Sequence, residues 1–500
     1  MHKILSLILA VVILLCGCGS PSVDKNNNNA DNKQVPTSGG VLKIHSYNPD
    51  TLNPILTQNK ANEQMLGLVF DSLVKCDETQ KIIPVLASNY DVSSNGLMWT
   101  ITTRTGVKWH DGTDFSAYDV ESTLQIIKNG SFNTIYAQNL QNVLKITASS
   151  SDVLEITLKT PQTNFINLLD IPIIKKVKTP AKDNFSPIGT GTYIYNSQAN
   201  KIITLSSNKD WWGAEHTPYI DTIEVHLLPD KNTSIFAYEA KEIDVVSTNM
   251  LNRGRYSGNS ENKIVEYPSG NYNFIGLNLT NKYLSNKEMR IAIASTVNKK
   301  RIFDEILLSH GRITETFLSP AWWVYNAETV QYKFDTKLAR EKIESLNLNP
   351  QKIAIELLVC SENEIKCRVA DIIKAGLKDI GVDARIRLAS WDEYNSLIER
   401  GSYDMYLGEI NYSSEINPAY VLKGLTDFEP LLSDLQNQVN DDGRKKSFFS
   451  LQNKFAEDLP QIPLYFDAAA LLYNNRVTGD IKPLRTNMFN NISEWFIIKK

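Results

Sequence analysis

A surplus of charge of either sign is what this 500-residue chain most lacks. It carries 52 lysines and arginines against 56 aspartates and glutamates, a formal net charge of −4. Without a basic excess, no nucleic-acid partner is expected. Cysteine is scarce too, at five residues. Cys16 and Cys18 belong to the N-terminal leader. Cys76, Cys360 and Cys367 remain, too few for a disulfide framework in a body this large. Cys360 and Cys367 either pair across a short loop or stay free. After the leader, no apolar run reaches the ~20 residues that span a bilayer. Catalytic signatures are missing as well: no His-Glu-x-x-His, no Gly-x-Ser-x-Gly, no Walker loop. An enzyme is therefore not expected. Of six histidines one is in the leader, and His45, His226 and Cys360 are too scattered to indicate a metal site. Pro187-Ile188-Gly189-Thr190-Gly191 lacks the third glycine of a nucleotide loop and is not set between a strand and a helix. No cofactor is expected.

What is present starts at the N-terminus. Met1-His2-Lys3 and the apolar run Ile4–Leu15 have the form of a signal peptide. Leu15-Cys16-Gly17-Cys18 resembles the bacterial lipobox, in which cleavage precedes a lipid-bearing cysteine; Cys18 is the matching position. Pro21–Gly40, with Asn26–Asn29 and almost nothing apolar, cannot offset its ordering entropy and reads as a flexible tether. The remaining ~460 residues exceed one compact core, so two or three domains are expected. Their composition, 42% hydrophobic and 22% charged, is that of a globular protein.

Periodicity places the elements. Val41–His45 alternates as a strand with one buried face, and Asn62–Val74 has the stripe of a helix. Leu97–Thr103 alternates as a strand. Ser116 and Asp119 have capping-box spacing, so a helix starts there with Val120, Leu124 and Ile127 inward. His110, beside the Asp111-Gly112 turn, reads as a hydrogen-bonded structural residue. Val143–Thr147 and Asp152–Lys159 form a hairpin. Strands follow at Tyr219–Leu227 and Asn273–Leu279. Helices start near Asn286 and after Asn298. Ile353–Val359, Val369–Leu377 and Val382–Leu388 give a strand–helix–strand crossover, so the class is α/β.

Taken in order, several motifs resemble the extracytoplasmic solute-binding proteins of ABC importers, in the large oligopeptide, dipeptide and nickel family (family 5). They are Leu52-Asn53-Pro54, Ile83–Ala87, Gly106–Val120, Pro187–Tyr193, Asn208–Gly213, Glu242-Ile243-Asp244, Phe274–Asn278, Arg290–Arg301, Ile380-Gly381-Val382 and Tyr403-Asp404-Met405. The resemblance implies a bilobed periplasmic-binding-protein-like fold of the type II, three-region kind, with a hinge and an interlobe cleft. Segments 41–59, 185–275 and 479–500 would form lobe I, 60–184 its extension, and 276–478 lobe II. The hinge would lie near Gly270–Asn278 and Gly479. The implied function is capture of a small, peptide-like solute and delivery to the transmembrane permease of an ABC transporter, by a lipid-anchored monomer on the outer face of the cell membrane. Alternatives are a nickel or metal-chelate carrier and a solute sensor that does not transport.

Relatives that bind peptides commonly hold the ligand ammonium on an aspartate after a Gly-Trp. Here the run is Gly408-Glu409-Ile410-Asn411-Tyr412-Ser413-Ser414-Glu415. The tryptophan is replaced, a serine stands where the aspartate would, and Glu409 or Glu415 is the candidate substitute. No arginine matches one that would hold a peptide carboxylate. Tyr47, Tyr272, Asn278, Trp391, Tyr412, Ser413 and Ser414 are further candidate ligand contacts. Trp322-Trp323 either caps the cleft or packs beneath a loop.

Overall fold

The alternation at the start of the body produces a half-buried strand. Across Val41–Tyr47, Leu42, Ile44 and Ser46 are enclosed while their neighbours are part-exposed. The computed structural model describes residues 35–498 except 131, 163, 178–181, 214, 249–253, 413–414 and 423. Cys18, Ser413 and Ser414 lie outside the described residues. The chain divides into Met1–Pro36 and a body, Thr37–Lys500. Of the first unit only Val35 and Pro36 are described, both exposed.

Val41–Tyr47 pairs in parallel with Thr222–Leu228, and Ile202–Ser207 and Tyr193–Ala199 complete a four-stranded sheet. A second four-stranded sheet is built from Ala87–Val92, Met98–Thr103, Val153–Leu158 and Val143–Ala148. Helix Ala117–Lys128 packs on it, entered through the Ser116–Asp119 capping box. A seven-stranded sheet combines Val245–Thr248, Gln461–Asn474, Asn262–Leu277, Met405–Asn411, Ala354–Cys360, Asp383–Ala389 and Arg312–Ile313. Ala354–Cys360 and Asp383–Ala389 are parallel, joined by helix Glu364–Asp379.

Two large hydrophobic cores result. One runs from Leu42 through Val245 and takes in Leu471 to Ile497; the other runs from Ile275 to Tyr465. Among the described residues two long strands pass from one core to the other. Asn262–Leu277 and Gln461–Asn474 lie antiparallel, with Tyr267 and Leu471 in the first core and Ile275, Ile462 and Leu464 in the second. Their register shifts between Pro268 and Tyr272, at Gly270, whose φ is +83°. Such a bulge bends and twists the ribbon locally.

Two elements, the first helix and the return strand, differ from the sequence reading. The helix expected over Asn62–Val74 occupies only Lys60–Leu66. Gly67 ends it, and the carbonyls of Leu68 and Val69 instead accept the N–H groups of Tyr193 and Gly191, both at 2.9 Å. The apolar stripe was real but serves a turn enclosed from two sides. Pro187–Tyr193 is the other half of this contact. A Cβ on Gly189 would come within 1.8 Å of the Val69 carbonyl oxygen, so close backbone approach accounts for its glycine. Secondly, the return of the chain between the cores lies on Gln461–Asn474, ahead of Gly479. His110 is hydrogen-bonded to the backbone of Gly189 and Gly191, and Cys360 and Cys367 are not joined to each other.

Candidate ligand-binding site

The crossing strand and its neighbour Met405–Asn411 bring several expected residues together. Asn273 faces Glu409 in the register, and the Tyr412 N–H donates to the Gly270 carbonyl at 3.1 Å. Tyr272 is fully buried and stacks on Phe274, with Phe466 on its other side, at ring distances of 5.1 and 5.5 Å. Tyr412 is equally buried, and its hydroxyl donates to the Phe317 carbonyl at 2.8 Å. Trp322 meets Tyr412 edge-on at 5.0 Å. These rings form an aromatic wall within the second body, and burial pushes both tyrosine pKa values well up.

The two glutamates part company. Glu409 pairs with Lys366 at 3.2 Å, beside Asp467 on the return strand. The Asp467 carboxylate accepts from Ser269 and Asn271 in the bulge. Burial lifts its pKa to about 6, against the Ser269 hydrogen bond and with help from Glu409. Glu415 is enclosed instead at the seam between segments, where it accepts from the Asn164 amide. Its pKa is raised, chiefly by burial. It lines a cavity of about 450 Å³ with Asn142, Gln162, Phe448 and Arg444. Arg444 is itself buried, its guanidinium over Trp323 at 5.6 Å, and the Trp323 N–H reaches the Thr79 carbonyl at 3.0 Å. Of the tryptophan pair, then, Trp322 packs in the wall and Trp323 lies across the seam.

The other candidates lie elsewhere. Tyr47 ends the first strand beside Leu228 and His45, in a different sheet. The Asn278 amide ties down a loop through the Tyr403 carbonyl at 2.9 Å and the Thr280 hydroxyl at 2.7 Å. Trp391, 56% exposed, opens helix Trp391–Glu399 and stacks on Tyr394.

A larger cavity, about 900 Å³, is walled by the first body alone. Trp211, Trp212 and Tyr136 give it flat apolar surface; Glu63, Asp170, Lys75 and Arg485 give it charge of both signs. Trp212 is fixed by its indole N–H to Asp71 at 3.1 Å and by the Arg104 guanidinium above it at 5.2 Å. Lys75 donates to Asn490 at 3.3 Å, and burial lowers its pKa. At one end Leu484, Arg485 and Thr486 also border a gap of about 20 Å³ shared with Gln80, Gly270 and Trp322. The cavity therefore abuts the bulge at Gly270 and the aromatic wall. Arg485, Lys75 and Arg444 were not read from the sequence. Arg485 had one usable signal: a lone cation among Pro483, Leu484, Met488 and Phe489.

Comparison with known proteins identifies this architecture. Residues 81–427 match the family profile of bacterial extracellular solute-binding proteins, family 5 Middle. The oligopeptide-binding protein AppA of Bacillus subtilis is 22% identical over 540 residues, covering 99% of this chain and 98% of its own. The nickel-binding periplasmic protein of Escherichia coli is 24% identical over 377 residues, covering 70% and 69%. The crystal structure of the ABC transporter substrate-binding protein CtaP from Listeria monocytogenes aligns with a TM-score of 0.79 at 20% identity, covering 93% of this chain and all of that one. With two cores joined by a paired ribbon, a bilobed α/β body built to bind and not to catalyse, the chain belongs to the bacterial extracellular solute-binding proteins of family 5.

Proposed function

We propose that the chain captures a peptide-like solute in the 900 Å³ cavity and delivers it to the permease of an ABC importer. The observation that carries this reading is the cavity itself. Its volume lies within the usual ligand range, and it sets aromatic faces beside charges of both signs. A peptide offers matching features: an ammonium, a carboxylate and apolar side chains between them. The oligopeptide-binding relative supports the same class of solute.

Closure would bend the ribbon at Gly270 and bring the Trp322–Tyr412 wall over the cavity mouth. A solute favours that state only by the difference in its affinity for the two. In the same reading 41–59, 185–275 and 479–500 form lobe I, 60–184 its extension and 276–478 lobe II, except that the return to lobe I falls on Gln461–Asn474. Glu409 and Glu415 lie outside that cavity, Glu409 paired with Lys366 and Glu415 enclosed beside Asn164. We further propose that Cys18 carries the lipid that moors the receptor outside the cell membrane, since its sequence setting is a lipobox and two or more acyl chains hold a protein stably. No helix among the described residues is long and apolar enough to cross a membrane.

Thermal shift against pools of di- to pentapeptides tests the solute. Stabilisation follows RT ln(1 + [L]/Kd), so micromolar binders register at millimolar concentration. A rise in Tm with peptide pools, with a smaller radius of gyration in solution scattering, is the expected outcome. A response to nickel chelates alone would replace peptide by the carrier role named for the Escherichia coli relative.

A further inference from the structure

Arg485 holds a position that the protein itself does not explain. Its Nη2 is buried and has no hydrogen-bond partner among the described residues. No ion pair or hydrogen bond of its guanidinium occurs among them, although Cys76, Asp170 and Glu63 act on it electrostatically. A buried donor without an acceptor carries the full cost of its desolvation, and more so when charged. Native proteins keep such groups chiefly where something else satisfies them.

Its surroundings say where that acceptor would come from. Arg485 lines the 900 Å³ cavity on one side and the narrow gap against Trp322 and Gly270 on the other. Room for it depends on the glycine: a Cβ on Gly270 would approach Arg485 Cδ at 2.5 Å and Nε at 2.7 Å. The guanidinium therefore lies against the ribbon where its register shifts. Lys75 offers a second cation on the same cavity. Trp211 and Trp212 supply the apolar surface along which the rest of a ligand can lie.

We infer that Arg485 is the carboxylate-binding residue of this receptor, so that its solutes carry a free carboxylate seated beside the hinge bulge. This rests on the peptide-like reading above and narrows it. A planar guanidinium matches a carboxylate with two parallel hydrogen bonds, which an amide cannot reproduce. A carboxylate there neutralises the buried charge and touches the ribbon that closure must bend. Solutes with the group would thus promote closure; those without it would leave Nη2 without an acceptor.

The test uses matched pools of di- to pentapeptides, one with free C-termini and one with C-terminal amides, on the wild type and Arg485→Gln. The wild type should bind the acid pool at least tenfold more tightly, and the variant should lose that preference. The ligand-free variant should melt no lower than the wild type, because a buried donor without an acceptor has been removed. Equal response of the wild type to both pools overturns the carboxylate role while leaving the peptide reading intact. A preference that survives in Arg485→Gln also overturns it, as does a fall of several degrees in the melting temperature of the ligand-free variant, which would mark the arginine as structural. A response to neither pool removes the peptide reading, and this inference with it.

Discussion

Two arginines with buried guanidinium nitrogens live in opposite circumstances. Arg290, 9% exposed in the second body, is saturated. Its Nε donates to the carbonyls of Asp458 and Leu459, Nη1 to those of Leu284 and Ser285, and Nη2 to Asp458, at 2.6 to 3.2 Å. Those acceptors are carbonyls at the end of helix Asp441–Asp458, whose Leu459 cap is left-handed, and in the turn before helix Lys287–Thr296. Carbonyls left over at a helix end need donors, and here a cation provides them with the favourable sign for the helix dipole. Arg485, at the edge of the first body's cavity, leaves Nη2 open. Burial lowers the pKa of both guanidinium groups. The contrast teaches that burial of a charge does not mark function; what marks it is whether the protein completes the charge's hydrogen bonds.

The strongest way to break this comparison is Arg290→Met. It removes five hydrogen bonds to carbonyls and strands those acceptors in a buried setting. A loss of about 3–4 kcal/mol is expected, read from the urea midpoint of unfolding. Solute affinity of the folded fraction should stay as it was. Arg485→Gln should give the reverse pattern, with stability kept and affinity lost. If both variants lost stability alike, the two arginines would be the same kind of residue and the distinction would fail.

How much of this was legible beforehand divides along the same line. The first strand, the Ser116–Asp119 cap, the 143–158 hairpin and the crossover around Glu364–Asp379 were readable because each is a local period or a local hydrogen bond. The order of motifs identified the family. Asn262–Leu277 was seen only in its second half, because Pro268-Ser269-Gly270 interrupts the strand pattern with a bulge. The helix over Asn62–Val74 was overextended because a turn buried on two sides carries the same apolar spacing. The site was least readable. Asn164 and Glu415 meet across 251 residues, and Gly270 makes room for Arg485 far along the chain. Nothing local distinguishes Arg444, within Asp441–Asp458, from a solvated lysine or arginine. Tyr272, on the crossing strand, and Tyr412, just past Met405–Asn411, are both packed in one aromatic cluster, a long-range arrangement that no local pattern shows.

Asp467 sharpens the comparison from the acidic side. Like Arg485 it borders the bulge at Gly270, yet unlike Arg485 it is partnered, by Ser269 and Asn271. Those bonds do not offset its burial: its pKa of about 6 lies above the ordinary 3.8. Between those values the folded chain keeps a proton that the unfolded chain has released. Stability therefore falls as pH rises from about 4 to about 6, by up to about 3 kcal/mol. Asp467→Asn should flatten that part of the stability–pH curve and raise stability at neutral pH, as read by denaturant titration across the window. A slope that persists in the variant would place the responsible proton on another group.

The smallest expected effect concerns the contact between hinge and arginine. Gly270→Ala puts a side chain at φ +83°, where an L-residue is strained by roughly 1–2 kcal/mol. It also presses a methyl group onto Arg485. The first cost is independent of residue 485, while the second vanishes when the arginine is shortened. Measured in the wild type and in Arg485→Gln, the alanine substitution should therefore be less harmful in the second background, by about 0.5–1 kcal/mol, the coupling usual for residues in contact. The same pair should couple in affinity for a carboxylate solute, because a displaced guanidinium loses its aim. Strict additivity in both stability and binding would mean that Arg485 turns aside freely, and that the glycine is there for the bulge alone.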